Sequence, residues 1–308
     1  MYTSEEEEYR PVANYMKKIK LIIWLVLIFP VLPACNARQN NPAAIPEQID
    51  TIISIGPSNT EILTALGFGD KIIAADTFSE NVEGIQAGIS IYDMMYLDME
   101  HIINMQPDVV FVTGMTWVDG DEEPLRMVSN AGIAVIYLPM STSITDIIED
   151  IHFIAAVLGA ESAGEAIVSA MENEINYFRQ IAETITNKRR VYFEISPAPY
   201  MYSFGRGTFL HEMIELAGGQ NIFSDRDGWL GLADEILLSA NPDVILTTVN
   251  FIDDPTGEIM SRPGWNAISA VQNGDVFYID ADSSSRPSHH IIRALREIAN
   301  ALYPELHR

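Results

Sequence analysis

LADEILLSANPDVILTT, residues 232–248, reads as one short helix running into one buried strand. Residues 233–240 carry the helix, and Asn241-Pro242-Asp243 is the turn. Pro242 has no N–H to continue the helix, and the residue before a proline is pushed toward extended backbone. Residues 244–248 are then an apolar, β-rich run of strand length. The same unit occurs earlier as LDMEHIINMQPDVVFVT, residues 97–113. Both copies carry Pro-Asp-Val at the turn, and both carry a glutamate seven residues before the proline, Glu100 and Glu235. Further echoes follow in the same order. EILTALG (61–67) matches EMIELAG (212–218), each a helix end stopped by glycine, and a glycine with a short strand follows each unit at 132–138 and 274–280. The chain is therefore read as two similar halves, an inference that precedes any assignment of fold.

Working outward, strands alternate with short helices in both halves. That pattern predicts parallel sheets covered by helices, with ligands beyond the carboxyl ends of the strands. The first half opens with a strand at 49–55, GPSNT at 56–60, and a helix at 61–66 that Ser58 or Asn59 can cap. A strand at 71–75 leads to a loop with Phe78, and the stretches 90–96 and 114–121 complete the same rim. Between the halves, 143–158 has apolar residues at helical spacing. A second helix runs from the capping-box pattern at Ser162 and Glu165 to about Asn187. At 1.5 Å per residue, its 25 or so residues span roughly 38 Å, a stiff link rather than a pliable hinge. The expected fold is α/β, two Rossmann-like lobes with parallel sheets joined by a single long helix. The expected boundaries are an N-terminal lobe at 49–142, a helical linker at 143–189 and a C-terminal lobe at 190–308.

The chain of 308 residues has a net charge of −25 and 48% hydrophobic residues, which fits an acidic, globular protein of two domains. That charge argues against nucleic acid as a partner, since phosphates are met by basic patches. At the N-terminus, MKKIK (16–20) precedes the apolar run 21–34. Fourteen residues fit a signal-peptide core but fall short of the roughly 20 that span a bilayer. Met16 is the expected true start of the protein. Cys35, the chain's one cysteine, follows Leu32-Pro33-Ala34 in a sequence resembling a bacterial lipobox. Residues 1–35 are thus expected to direct export, with Cys35 lipidated at a membrane surface, and 36–48 to be a flexible tether.

Signatures of catalysis are missing from the sequence. It has no Gly-x-Ser-x-Gly elbow, no phosphate-cradling glycine loop with lysine and no His-Glu-x-x-His. Of six histidines only His289 and His290 are paired, so neither a metal site nor a cofactor is expected. The strand-end loops instead carry Phe78, Tyr92, Tyr96, Trp117, Tyr200 and Trp229, with Asp282 and Arg286. Aromatic walls with a few placed polar groups suit a cleft for a large planar or macrocyclic ligand.

Five stretches then carry a resemblance: ISIGPSNTEIL (53–63), the two Pro-Asp-Val units, AGGQNIF (217–223) and PGW (263–265). Together they resemble the substrate-binding proteins of ABC importers for iron chelates, haem and cobalamin, from residue 49 to the C-terminus. The resemblance implies a non-enzymatic, monomeric protein that captures a small-molecule ligand between its lobes and delivers it to an ABC permease and its ATPase. A haem importer, or a ligand sensor outside transport, is the alternative. The cobalamin-binding members match best. Their permease-docking glutamates correspond to Glu100 and Glu235, and their ligand contacts to Phe78, Tyr200, Trp229, Asp282 and Arg286. Met94 and Thr113 stand where those members have tryptophans, which leaves Tyr92, Tyr96 or Trp117 to fill the space.

Overall fold

A computed structural model describes residues 44–116 and 125–306. Cys35, the export segment and Trp117 lie outside the described residues. The first half runs β1 (Ile52–Ile55), α1 (Pro57–Ala65), β2 (Ile72–Asp76), β3 (Ser90–Tyr92), α2 (Met99–Met105), β4 (Val109–Thr113), α3 (Arg126–Asn130) and β5 (Ala134–Leu138). Its strands are all parallel, in the order β3-β2-β1-β4-β5. Helices α4 (Ile144–Val157) and α5 (Glu161–Thr184) follow.

The second half contains β6 (Arg190–Glu194), β7 (Tyr202–Phe204), α6 (Phe209–Leu216), β8 (Gln220–Asn221), β9 (Trp229–Gly231), α7 (Asp234–Ala240) and β10 (Val244–Thr247). It closes with α8 (Pro255–Ser261), α9 (Ser269–Asn273), β11 (Val276–Tyr278), α10 (Ala281–Ser285) and α11 (Ile291–Leu302). Its parallel sheet has the order β8-β6-β10-β11, the same arrangement as β2-β1-β4-β5. The two strands β7 and β9 pair antiparallel beside it.

The repeat has a physical meaning. Gln106 and Asn241, the residues before the two prolines, both end their helices in the left-handed region, at φ 49° and 46°. The aspartates that follow tie each turn to the neighbouring strand. The Asp108 carboxylate accepts the backbone N–H groups of Asp50 and Thr51, at 2.8 Å each. Asp243 accepts that of Arg190, also at 2.8 Å. Each Pro-Asp-Val therefore fixes the start of its own strand and the register of the strand beside it.

The strands split their side chains with period two between two faces. Ile52, Val109 and Phe111 face one core, while Ile53, Val110 and Val112 face another. In the second sheet Val191, Phe193, Val244 and Leu246 join the first of these cores, and Tyr192 and Ile245 face a third. The first core thus runs from one lobe to the other through Ile147, Ile151 and Ile154 of α4, Val168, Met171, Ile175 and Phe178 of α5, and Leu295, Ile298 and Leu302 of α11. Each fully buried Ile, Leu or Phe contributes roughly 1.5–3 kcal/mol, so sliding the lobes apart would expose far more than a flexible hinge could. At 24 residues, α5 is about 36 Å long.

Local details differ from the sequence reading. Helix α1 begins at Pro57, with Gly56 at φ 113° as its N-cap, and neither Ser58 nor Asn59 caps it. Proline suits a first helical turn because its missing N–H would be unpaired there. Ser162 lies inside α5, whose N-cap is Ala160. The capping box is one helix earlier, where Ser143 and Asp146 bond reciprocally at the start of α4. Residues 90–92 form edge strand β3 rather than loop, and Trp229 opens β9. Among the described residues, no helix is long and apolar enough to cross a membrane.

Candidate functional site

A cleft of about 360 Å³ lies where both lobes meet at their strand ends. The N-terminal lobe supplies Pro57, Ser58, Asn59 and Ile62 from α1, Thr113 and Met115 beyond β4, and residues 138–142 beyond β5. The other lobe supplies Gly207, Thr208, Phe209, Trp229 and residues 285–287. Strands β1 and β4 run side by side with chain crossovers leaving in opposite directions, the position where open parallel sheets hold ligands. Gly56 makes this approach possible: a Cβ there would sit 2.9 Å from that of Thr113. A wider hollow, about 660 Å³, lies between α4, α5 and α6, away from the strand ends, and is an open groove between helices.

Trp229 is held at the cleft wall by its hairpin. It pairs with Phe204 in register, meets that ring edge-on at 6.2 Å, and stacks on Tyr202 at 6.2 Å with a 12° interplanar angle. Half of Trp229 stays exposed (50%), leaving a face open. Tyr202 was not singled out in the sequence, although Tyr200, Tyr202 and Phe204 alternate with the period of a strand. Met115 and Met140, both well exposed, face the cleft from the opposite lobe. Thioethers are polarisable and adapt to aromatic or irregular surfaces, so these two replace aromatic walls with softer ones.

Arg286 enters the cleft wall but is not free. Its Nη1 donates to Glu61 Oε1 at 2.9 Å, and its Nη2 donates to the Phe78 carbonyl at 3.2 Å and lies 2.8 Å from Asp282 Oδ1. Glu61, on α1 of the other lobe, is 4% exposed and also accepts the Ser288 hydroxyl, with His290 Nδ1 at 3.4 Å. Burial alone would raise the Glu61 carboxyl. Hydrogen bonds from His290, Ser288 and Arg286 outweigh it and hold the pKa below the ordinary carboxylate value. Its counterpart in the repeat, Glu212, reaches out of its lobe as well, accepting the Ile144 N–H at the start of α4 at 2.8 Å. Beside this network His289 is pushed down to about 4, by burial and by the adjacent His290. Its Nδ1 is buried with no hydrogen-bond partner.

Phe78 is exposed at the rim, and its loop is set by the fully buried Asp76. That carboxylate accepts the Phe78 N–H at 2.9 Å, the Gly56 N–H at 2.7 Å and the Ser79 hydroxyl at 2.6 Å. Tyr200 is 83% exposed in the loop before β7, outside the enclosed part of the cleft, and Tyr96 is likewise exposed. Asp282 is exposed and paired with Arg286. Tyr92 departs from expectation. It is 6% exposed, packs in the core beneath the sheet, and bonds through its hydroxyl to His101 Nδ1 at 3.0 Å and Met105 Sδ at 3.3 Å. It is therefore a core residue rather than a ligand contact. Met94, in the position where aromatics are expected by resemblance, is buried in that same core.

Glu194 is the other buried carboxylate at a strand end. Burial raises it and Arg262 opposes that shift, with guanidinium bonds at 2.6 and 3.0 Å. Locked in this pair, it has no free oxygen chemistry to offer a ligand. Glu100 and Glu235 occupy the second positions of α2 and α7 and are exposed.

A family model described as periplasmic binding protein matches residues 52–283. YvrC of Bacillus subtilis (strain 168), an uncharacterized ABC transporter substrate-binding lipoprotein, is 29% identical over 283 residues, covering 90% of this chain and 87% of that one. A vitamin B12-binding protein of Vibrio parahaemolyticus is 24% identical over 281 residues, or 91% and 95% of the two chains. The crystal structure of a possible iron-binding (periplasmic solute-binding) protein of Staphylococcus epidermidis superposes with a TM-score of 0.74 at 27% identity, covering 83% of this chain and all (100%) of that one. With the matched model spanning most of the chain and both of its sheets, this protein belongs to the periplasmic binding protein family.

Proposed function

We propose that the chain is the substrate-binding protein of an ABC importer, taking up a corrinoid or an iron chelate and releasing it to a membrane permease and its ATPase. One observation carries this reading: a largely apolar cleft, closed by both lobes at their strand ends, with Trp229 on one wall and Met115 and Met140 on the other. An opening of this size seats one face of a large planar ligand, while the exposed Phe78 and Tyr200 are available to its periphery. Asp282 and Arg286 act at the same edge. In this reading the protein binds its ligand without turning it over.

Glu100 and Glu235 are the permease contacts in this reading. Both sit in the first turn of equivalent helices, one per lobe, so a single rigid body presents two carboxylates. The interlobe core favours small closing motions, which makes docking at two fixed points feasible. Cys35 provides the lipid anchor that keeps a monomeric protein beside its permease. The test is titration of intrinsic tryptophan fluorescence in the purified protein with cyanocobalamin, a ferric trishydroxamate and haemin. Saturable quenching by at least one is expected, and no response to all three refutes the assignment.

A further inference from the structure

The cleft's electrostatics narrow the class of ligand. Resting on the import reading above, we propose that the cleft selects an uncharged or cationic ligand rich in hydrogen-bond acceptors and rejects polyanions. The reason is that its one cation among the described lining residues is already neutralised across the lobe interface.

Arg286 is that cation. Its guanidinium is shared between Glu61, which is buried behind it, and Asp282, which lies on its exposed side. A further N–H, on Nη2, donates to the Phe78 carbonyl. A polyanionic ligand arriving here would have to displace Glu61 from a buried site, where it also holds Ser288. Exposing an unpaired buried carboxylate is among the costlier changes a protein can make. The other ionisable group in the lining is Asp150, which accepts from the Ser141 hydroxyl at 2.7 Å. Burial raises its carboxyl, and when it protonates it becomes a donor, so the lining shifts from negative to neutral and never to positive. Two carboxylates thus pair with the one guanidinium, and a third lines the same cleft.

Two helix N-termini work in the opposite direction. Helices α1 and α6 both open at the cleft, at Pro57 and Phe209, and each end carries about half a positive elementary charge. In α6 part of that is already used, because Thr208 accepts the His211 N–H. The two ends bring the balance toward neutrality without passing it. A ligand bearing several carboxylates or catecholates therefore finds no compensating field. Ser58 and Thr113 instead bring hydroxyls to the lining, which suit the carbonyls of amide-bearing or hydroxamate ligands, while the hydroxyls of Thr142 and Thr208 are committed to Asp146 and the Gly205 carbonyl.

Equilibrium binding of five probes to the purified protein tests this: cyanocobalamin and a ferric trishydroxamate as neutral probes, aquocobalamin as a cation, and haemin and a ferric triscatecholate as polyanions. The neutral and cationic probes should include the tightest binder, with both polyanions at least about tenfold weaker, a difference of 1.4 kcal/mol. Glu61→Gln removes one of the guanidinium's two carboxylate partners, and should narrow the gap to the polyanions by about threefold or more through restored charge pairing. Asp282→Asn, at an exposed carboxylate, should shift the gap the same way and covers the case in which the buried variant fails to fold. A polyanion that binds as tightly as the best neutral probe overturns the inference while leaving the import reading intact. An unchanged gap in both variants also overturns it. If no probe binds, the import reading falls and this inference with it.

Discussion

The sharpest test of the lobe interface is Glu61→Gln. The substitution keeps shape and one acceptor oxygen but removes the charge that Arg286, Ser288 and His290 share. Hydrogen bonds to a charged partner contribute about 1.5–3 kcal/mol each and neutral ones about 0.5–1.5. Arg286 keeps Asp282 and the Phe78 carbonyl, so the full cost of 3–5 kcal/mol for breaking a buried pair is not reached. A loss of about 2–3 kcal/mol follows. At roughly 2–4 °C per kcal/mol for chains of this size, the melting midpoint should fall by about 4–12 °C at pH 7. The effect should depend on pH in a defined direction. The Glu61 carboxyl titrates lower in the folded protein than in the unfolded chain, so its stabilisation is present above the unfolded value of 4.5 and disappears as pH falls through the folded one. The difference between wild type and variant, followed by circular dichroism melts from pH 7 downward, should therefore shrink below pH 4.5. A midpoint within about 1 °C of wild type at pH 7 would show that the pair does not hold the lobes.

Other consequences follow from separate features. The His289 ring, neutral in the fold with a pKa of about 4 against 6.5 in the unfolded chain, loses stability as pH falls from 6.5 toward 4. The gap is worth up to about 3 kcal/mol, and His289→Gln should flatten urea-derived stability across that interval; an unchanged slope would contradict it. Gln106 holds a left-handed backbone at φ 49°. Gln106→Gly should raise stability by about 0.5–1 kcal/mol, measured by denaturant midpoint, and a loss would mean the side chain makes a contact that matters. Reversing both Glu100 and Glu235 to lysine should abolish uptake in cells while leaving ligand affinity of the purified protein within about twofold, since both are exposed on helices outside the cleft. Lost affinity in the purified double variant would count against docking.

The two-lobed architecture was readable because it is written twice. Each half repeats a turn whose proline stops a helix and whose aspartate secures two strands, and both marks are local in sequence. Helix starts were less legible. At α1 the decisive residue is Pro57 rather than the better-known caps Ser58 and Asn59, and at α5 the capping-box pattern fell within the helix. The cleft was legible only in part. Trp229, Arg286 and the rim residue Phe78 follow from their place at strand ends. Tyr92 fits the same description, but β3 is an edge strand whose Tyr92 side chain turns into the core. Thr113, Met115 and Met140 are gathered by the ends of adjacent strands β4 and β5, and Phe209 joins them only when the two lobes meet. The partner of Arg286 lies 225 positions away in the chain, where no periodicity points to it. That pairing changes the role of Arg286 from a charge offered to the ligand to one held by the protein.

The central claim is that ligand sits between the lobes against Trp229, and affinity of Trp229→Ala measures it most directly. Truncating an aromatic at the centre of a binding surface costs about 2 kcal/mol or more, so the dissociation constant of the best-bound probe should rise about 30-fold. Because Trp229 is half exposed on a two-stranded hairpin, its melting midpoint should stay within about 3 °C of wild type. An unchanged dissociation constant in a folded Trp229→Ala protein would place the ligand elsewhere and contradict the account.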